Sequence, residues 1–118
     1  MINNWHYVVL TRSAGTLKIY VDNVIRNSGT WTTSLDNQVT SIGADVGEYQ
    51  GDLYPEGHVG YIDELSAWER ALSDSEISTL YNNGASRTTN SLSNLSGLLT
   101  YYNLDETNGN LLNLAIPP

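Results

Sequence analysis

A chain of 118 residues, 40% of them hydrophobic, is long enough for one domain with a real core. Its formal net charge of −8 sets the surface against phosphate backbones and anionic lipid, so nucleic acid and membrane insertion are not expected. With no cysteine there is neither a disulfide framework nor a thiol nucleophile, and no run approaches the roughly 18 apolar residues of a membrane span.

Val, Ile, Thr, Tyr and Trp are plentiful, Phe is absent, and Asn, Ser and Gly punctuate the chain, which is an all-β composition. Met1 is followed directly by INNW, which reads as the inside of a domain, so the segment is expected to begin within a larger protein. WHYVVLT (5–11) is apolar on both alternations, the pattern of a strand covered on both faces. After a turn at 12–15, TLKIYV (16–21) places Leu17, Ile19 and Val21 on one face and Lys18, Tyr20 and Asp22 on the other. Asp22-Asn23 is a two-residue hairpin signal, and residues 24–28 return as the partner strand. A further short strand is expected at 39–42.

Residues 43–57, GADVGEYQGDLYPEG, form the longest irregular stretch, of a length that is unusual and often functional. A strand follows over 58–68, with Val59, Tyr61, Leu65 and Ala67 alternating against Gly60, Ile62, Glu64 and Ser66. The chain then turns a corner into a short helix. Ser73 is its N-cap, Glu76 closes a capping box, and Leu72 and Ile77 occupy the two positions of a hydrophobic staple. Ile77, Leu80 and Tyr81 form one apolar stripe, and Gly84 is expected to supply the left-handed residue that ends the helix. The polar segment 85–96 has the composition of a linker or extended surface loop. GLLTYYNL (97–104) is a final strand, with Leu98, Tyr102 and Leu104 on the alternation expected to reach the core, and Pro117-Pro118 cannot continue a ladder. The division is therefore 1–84 core strands and helix, 85–96 linker, and 97–118 terminal strand.

Taken in order, WHYVVLT, LKIYVDN, VTSIGA and GYIDELSAWERALSDSEISTLYNNG resemble the laminin G-like, concanavalin A-like jelly-roll domains. That pattern runs Trp-His-x-Val, Leu-x-Leu-Tyr-Val-Asp-Gly, a strand ending Ile-Gly, Gly-x-Ile-Asp-Glu-Val, Ala-Leu-Ser and Glu-Ile. The resemblance covers residues 4–85, with Asn23 standing where the family has glycine. It implies an antiparallel β-sandwich with one short helix after the strand at 58–68. In the family a strand like GLLTYYNLDETNGN opens the domain, whereas here it comes last. The segment is thus either the later part of one domain followed by the first strand of the next repeat, or a shortened, permuted jelly roll. In the second case the terminal strand pairs beside 59–68. An apolar face left bare by missing strands is expected to drive self-association as a dimer.

The family includes glucanases, whose acids alternate along one strand so that two carboxylates face a single cleft. Here Asp63 and Glu64 are adjacent and point to opposite faces, so the expectation is no catalysis, with a degenerate hydrolase as the weakest alternative. His6 and His58 are the only histidines, too few for a zinc site of three or four ligands. The resemblance implies a bound Ca²⁺, for which Asp45, Asp52 and Glu56 in the long loop are the candidate ligands; the alternative is that these acids simply keep the loop soluble. Sugar binding by such folds stacks exposed aromatic rings beside amides, and Trp31, Tyr49, Gln50 and Tyr54 are the candidates. Trp5, Trp68, Tyr20 and Tyr81 are expected to be structural. The expected role is a non-catalytic binding or adhesion module of a larger extracellular, cell-surface or virion protein, with a glycan or protein ligand. The alternative is a purely structural or assembly domain.

Overall fold

A computed structural model describes residues 4–31, 59–85 and 87–115. The expected strand at 39–42 and the long loop at 43–57 lie outside these residues. What is described is an antiparallel β-sandwich with one short helix: a three-stranded sheet in the order β1 (Val8–Ser13), β2 (Thr16–Val21), β3 (Val24–Thr30), and a two-stranded sheet of β4 (Leu65–Trp68) and β5 (Leu98–Tyr102). Between β4 and β5 in sequence lies α1 (Asp74–Tyr81).

Both hairpins of the first sheet turn on two left-handed residues, Ala14-Gly15 and Asp22-Asn23, the geometry whose twist matches the flanking strands. Asn23 at φ 65° takes the left-handed conformation that glycine adopts freely. Register then pairs Val9 with Tyr20 and Thr11 with Lys18 on one face, and Leu10 with Ile19 and Val8 with Val21 on the other. The inward face is the one that carries Tyr20. Its side chain is buried, and its hydroxyl donates to Asp74 Oδ1 at 2.9 Å, fastening the sheet to the first turn of α1. Ile19 therefore turns outward with Val8 and Leu10, which are 62% and 63% exposed. Strand β1 is not covered on both faces: among the described residues it is an edge strand with an apolar outer face.

The helix starts as its sequence dictates. Ser73 Oγ accepts from Glu76 N, and the Glu76 carboxylate accepts from Ser73 N, so the capping box is complete. Ile77 and Leu80 are buried against Tyr20, Leu72 and Leu92 to make the core. The helix ends earlier than expected. Asn82 takes the left-handed conformation at φ 47°, and Asn83 and Gly84 continue it, so the stop belongs to two asparagines before the glycine is reached.

The strand expected over 58–68 is regular only from Leu65. Glu64 sits at φ 53°, a left-handed conformation that breaks a ladder and costs about 1–2 kcal/mol for a residue with a side chain. Its carboxylate offsets that cost: Oε2 accepts from the Tyr101 hydroxyl at 2.7 Å and from Thr89 N at 3.0 Å. Strand β5 pairs antiparallel with β4, Leu65 opposite Tyr102 and Trp68 opposite Leu98 across a bulge. The buried member of β5 is Tyr101, on the alternation opposite to Leu98, Tyr102 and Leu104. Residues 87–96, within the segment expected to be a linker or surface loop, make local structure. They contain a 3₁₀ turn at Thr89–Ser91, and Thr89 and Leu92 are buried. Beyond β5, Asn113 Oδ1 accepts from Tyr101 N, and Leu114 N donates to Tyr101 O, so the returning chain occupies the open edge of β5.

Candidate functional site

Along the β1 edge, facing the corner between β4 and α1, runs a cleft of about 480 Å³, within the roughly 300–1,000 Å³ of small-ligand sites. Tyr7, just before β1, and Val9, Leu10, Thr11 and Arg12 of β1 line it, and Trp31 closes the hairpin end. Trp31 is placed there by its backbone, whose N–H donates to Gly15 O at 2.8 Å, and it is 45% exposed. The facing wall is Trp68, Glu69 and Arg70.

Trp68 is held from two directions. Its Nε1 donates to Ser66 Oγ at 3.0 Å, and the Arg70 guanidinium lies 5.0 Å from the ring centre, a cation–π arrangement. Arg70 is itself the hub of the corner. Nη1 and Nη2 donate to the two oxygens of Glu76 at 2.8 Å each, Nη2 also donates to Asn94 O, and Nε donates to Ser96 O. The guanidinium beside it holds the Glu76 carboxyl down to about 2, and Glu76 in turn raises Arg70. Burial, and then the charge of Glu64, pushes the Tyr7 phenol up to about 12, so it stays neutral. At the entry to β1, Asp22 Oδ1 accepts from Tyr7 N at 2.9 Å and Oδ2 lies 2.7 Å from His6 Nδ1. Those two contacts hold the Asp22 carboxyl below the usual range, the backbone bond contributing most.

Of the residues expected to bind ligand, Trp31 is in the cleft, and Tyr49, Gln50 and Tyr54 lie outside the described residues. So do the candidate Ca²⁺ ligands Asp45, Asp52 and Glu56. Among the described residues no group of three or more His, Cys, Asp or Glu side chains is placed to hold a metal ion. Asp63 and Glu64 are both engaged internally, Asp63 Oδ1 accepting from Glu64 N at 2.9 Å and Glu64 accepting from Tyr101 and Thr89.

Two features escaped the sequence reading. Trp68, expected to be structural, is also a wall of the cleft, and the signal for it was the neighbouring arginine in Trp-Glu-Arg. Trp5, likewise expected to be structural, is 67% exposed and meets Tyr61, 85% exposed, at a centroid distance of 6.4 Å and a tilt of 31°. No local pattern announces a pair so far apart in sequence.

The frame is thus an antiparallel sandwich with a cleft beside an edge strand. The chain belongs to the concanavalin A-like lectin/glucanases superfamily, a laminin G-type profile of which matches residues 1–78. No curated protein matches it. Among solved structures it is similar to residues 221–444 of an S-layer domain-containing protein from Clostridium thermocellum ATCC 27405, determined at 2.1 Å resolution, with 26% identity and a TM-score of 0.58. The alignment covers 69% of this chain and 41% of that one, so the chain spans about two-fifths of the relative's length. No helix among the described residues is long and apolar enough to cross a membrane.

Proposed function

We propose that this chain is a non-catalytic, carbohydrate-binding module of a cell-surface or extracellular protein. The observation that carries the reading is the cleft itself, lined by two tryptophans, Trp31 and Trp68, together with Thr11, Arg12 and Glu69. Sugar rings present an apolar face to an aromatic ring and hydroxyls to polar groups at its margin, and a lining of that mixed kind meets both needs. Membership of a lectin and glucanase superfamily supports a glycan over a peptide, and likeness to part of an S-layer domain-containing protein supports a surface location. A non-catalytic role is supported by the engagement of Asp63 and Glu64 in internal hydrogen bonds, since glycoside hydrolysis works with a pair of carboxylates turned toward the substrate. The reading extends to residues 43–57, with Tyr49, Gln50 and Tyr54 as further sugar contacts and Asp45, Asp52 and Glu56 as ligands of a Ca²⁺ ion.

The test is a glycan array probed with the full chain and with Trp31→Ala, each with Ca²⁺ and with chelator. Retention of one glycan class by the wild type and its loss in the variant is the expected result. No retained glycan under either condition refutes the reading. A second role, assembly with a further copy of the chain, is favoured by the outer face of the first sheet, where Val8, Leu10 and Val24 are exposed together.

A further inference from the structure

The exposed pair Trp5–Tyr61 is not part of the cleft lining but neighbours it along the chain. Trp5 continues the alternation of Tyr7 and Val9, which line it, and Tyr61 lies just upstream of β4, whose end forms the opposite wall. The aromatic groups thus flank one edge strand: Trp31 is tied to its hairpin end at Gly15, Trp5 with Tyr61 stands before its start, and Trp68 lies on the facing wall. The eight residue steps from Trp5 to Ser13 cover roughly 26 Å when extended, far more than one sugar ring.

We infer that this edge is a linear groove for a neutral oligosaccharide, with Trp5 and Tyr61 forming a distal stacking station that a short sugar bound at Trp31 does not reach. The inference rests on the carbohydrate reading above and adds the ligand's shape, its charge and a second site. Shape follows from that placement. A rings-only surface at one point would suit a terminal sugar, whereas stations at both ends of a strand reward a chain that spans them. Charge follows from the surroundings: the chain carries −8 overall, Glu69 lines the wall, and the Arg70 guanidinium already has its donors on Glu76 and two carbonyls, so Arg12 faces the cleft without a second available guanidinium. A sulfated or uronic acid polymer would meet net repulsion.

Isothermal titration of the full chain with cello-, laminari- and chito-oligosaccharides from disaccharide to hexasaccharide tests this, alongside Trp5→Ala, Tyr61→Ala and Trp31→Ala. Trp5 and Tyr61 are exposed enough that their removal leaves the fold intact, which melting curves verify. In the series that binds, affinity should rise at least tenfold with length. Trp5→Ala and Tyr61→Ala should erase that rise and leave the disaccharide unchanged, while Trp31→Ala weakens every length. Equal affinity at all lengths, a hexasaccharide indifferent to Trp5→Ala, or tighter binding of heparin than of any neutral sugar would overturn the groove while leaving a Trp31-dependent sugar site standing. Binding of no saccharide here or on the array would overturn both.

Discussion

Replacing Glu76 by glutamine isolates the charge of the Arg70 hub, because glutamine keeps the side-chain length and can still close the capping box on Ser73. The carboxyl titrates near 4.5 when unperturbed and about 2 in the folded protein. Between those values the unfolded chain binds the proton and the folded one does not. The pair's contribution is therefore complete above about pH 5 and drains away as pH falls toward 2. The full shift converts to a ceiling of about 3 kcal/mol. The Arg70 and Glu76 side chains are 27% and 20% exposed, so solvent screening brings the expected value to about 1–2 kcal/mol. Urea unfolding followed by tryptophan fluorescence at pH 7, 5, 4, 3 and 2.5 is the assay. Glu76→Gln should be weaker than wild type by that amount at pH 7, a fall of roughly 3–6 °C in Tm per kcal/mol, and the gap should shrink to about a quarter of that by pH 2.5. A gap that stays constant from pH 5 to 2.5, or no gap at pH 7, would refute the reasoning.

The other expectations can be tested in the same way. Ser73→Ala should cost about 1 kcal/mol through the lost cap, and Gly84→Val should cost more because Gly84 sits at φ +91°; equal, negligible changes in urea midpoint would contradict this account of the helix ends. Glu64→Gln removes the charged acceptor of Tyr101 and Thr89 and should destabilise by about 2 kcal/mol. It should also lower the Tyr101 phenol, held well above its usual range by burial and by Glu64, which a spectrophotometric titration reads directly. Chelator should lower the melting temperature, and Asp45→Asn, Asp52→Asn and Glu56→Gln should abolish that response; a melt indifferent to calcium leaves these acids as solvated charges. Deleting residues 97–118 should cause aggregation or unfolding, and light scattering should show the intact chain as a dimer, whereas a soluble, cooperatively folding monomer of residues 1–96 would show β5 to be dispensable.

Features set by neighbouring residues were legible in the sequence. Leu72 to Ile77 contain the capping box that starts the helix, and Asp22-Asn23 contain the whole turn, so both could be read without knowing the fold. What depends on a distant partner could not. TLKIYV carries bulk on both alternations, and Tyr20 is the inward choice because Asp74, 54 residues away, is positioned to accept its hydroxyl. Glu64 looked like one more strand residue, yet its acceptor bonds to Thr89 and Tyr101 support a left-handed backbone that no local preference predicts. The candidate site divides along the same line. Trp31 was legible because an aromatic next to an irregular stretch reads as exposed, whereas the Trp5–Tyr61 pair exists only once the two chain segments have been brought together.

The terminal strand shows how polar contacts do what a thin core cannot. The family match ends at residue 78, before β5 begins, yet β5 is bound at three places by side chains that the strand itself does not own. Arg70 holds the approach through the carbonyls of Asn94 and Ser96, Glu64 holds the middle through Tyr101, and Asn113 returns to hold the outer edge through Tyr101 N and Leu99 O. Of the side chains on β5, only Tyr101 is deeply buried, so apolar area alone would secure the strand weakly. Each anchoring residue also belongs to something else: Arg70 braces the cleft wall at Trp68, and Glu64 precedes β4 and raises Tyr7 in that cleft. Attachment of the last strand and the shape of the cleft are therefore coupled through the same two side chains. Loosening β5 at Arg70 should release Trp68, and a ligand that orders Trp68 should in turn tighten the corner against unfolding.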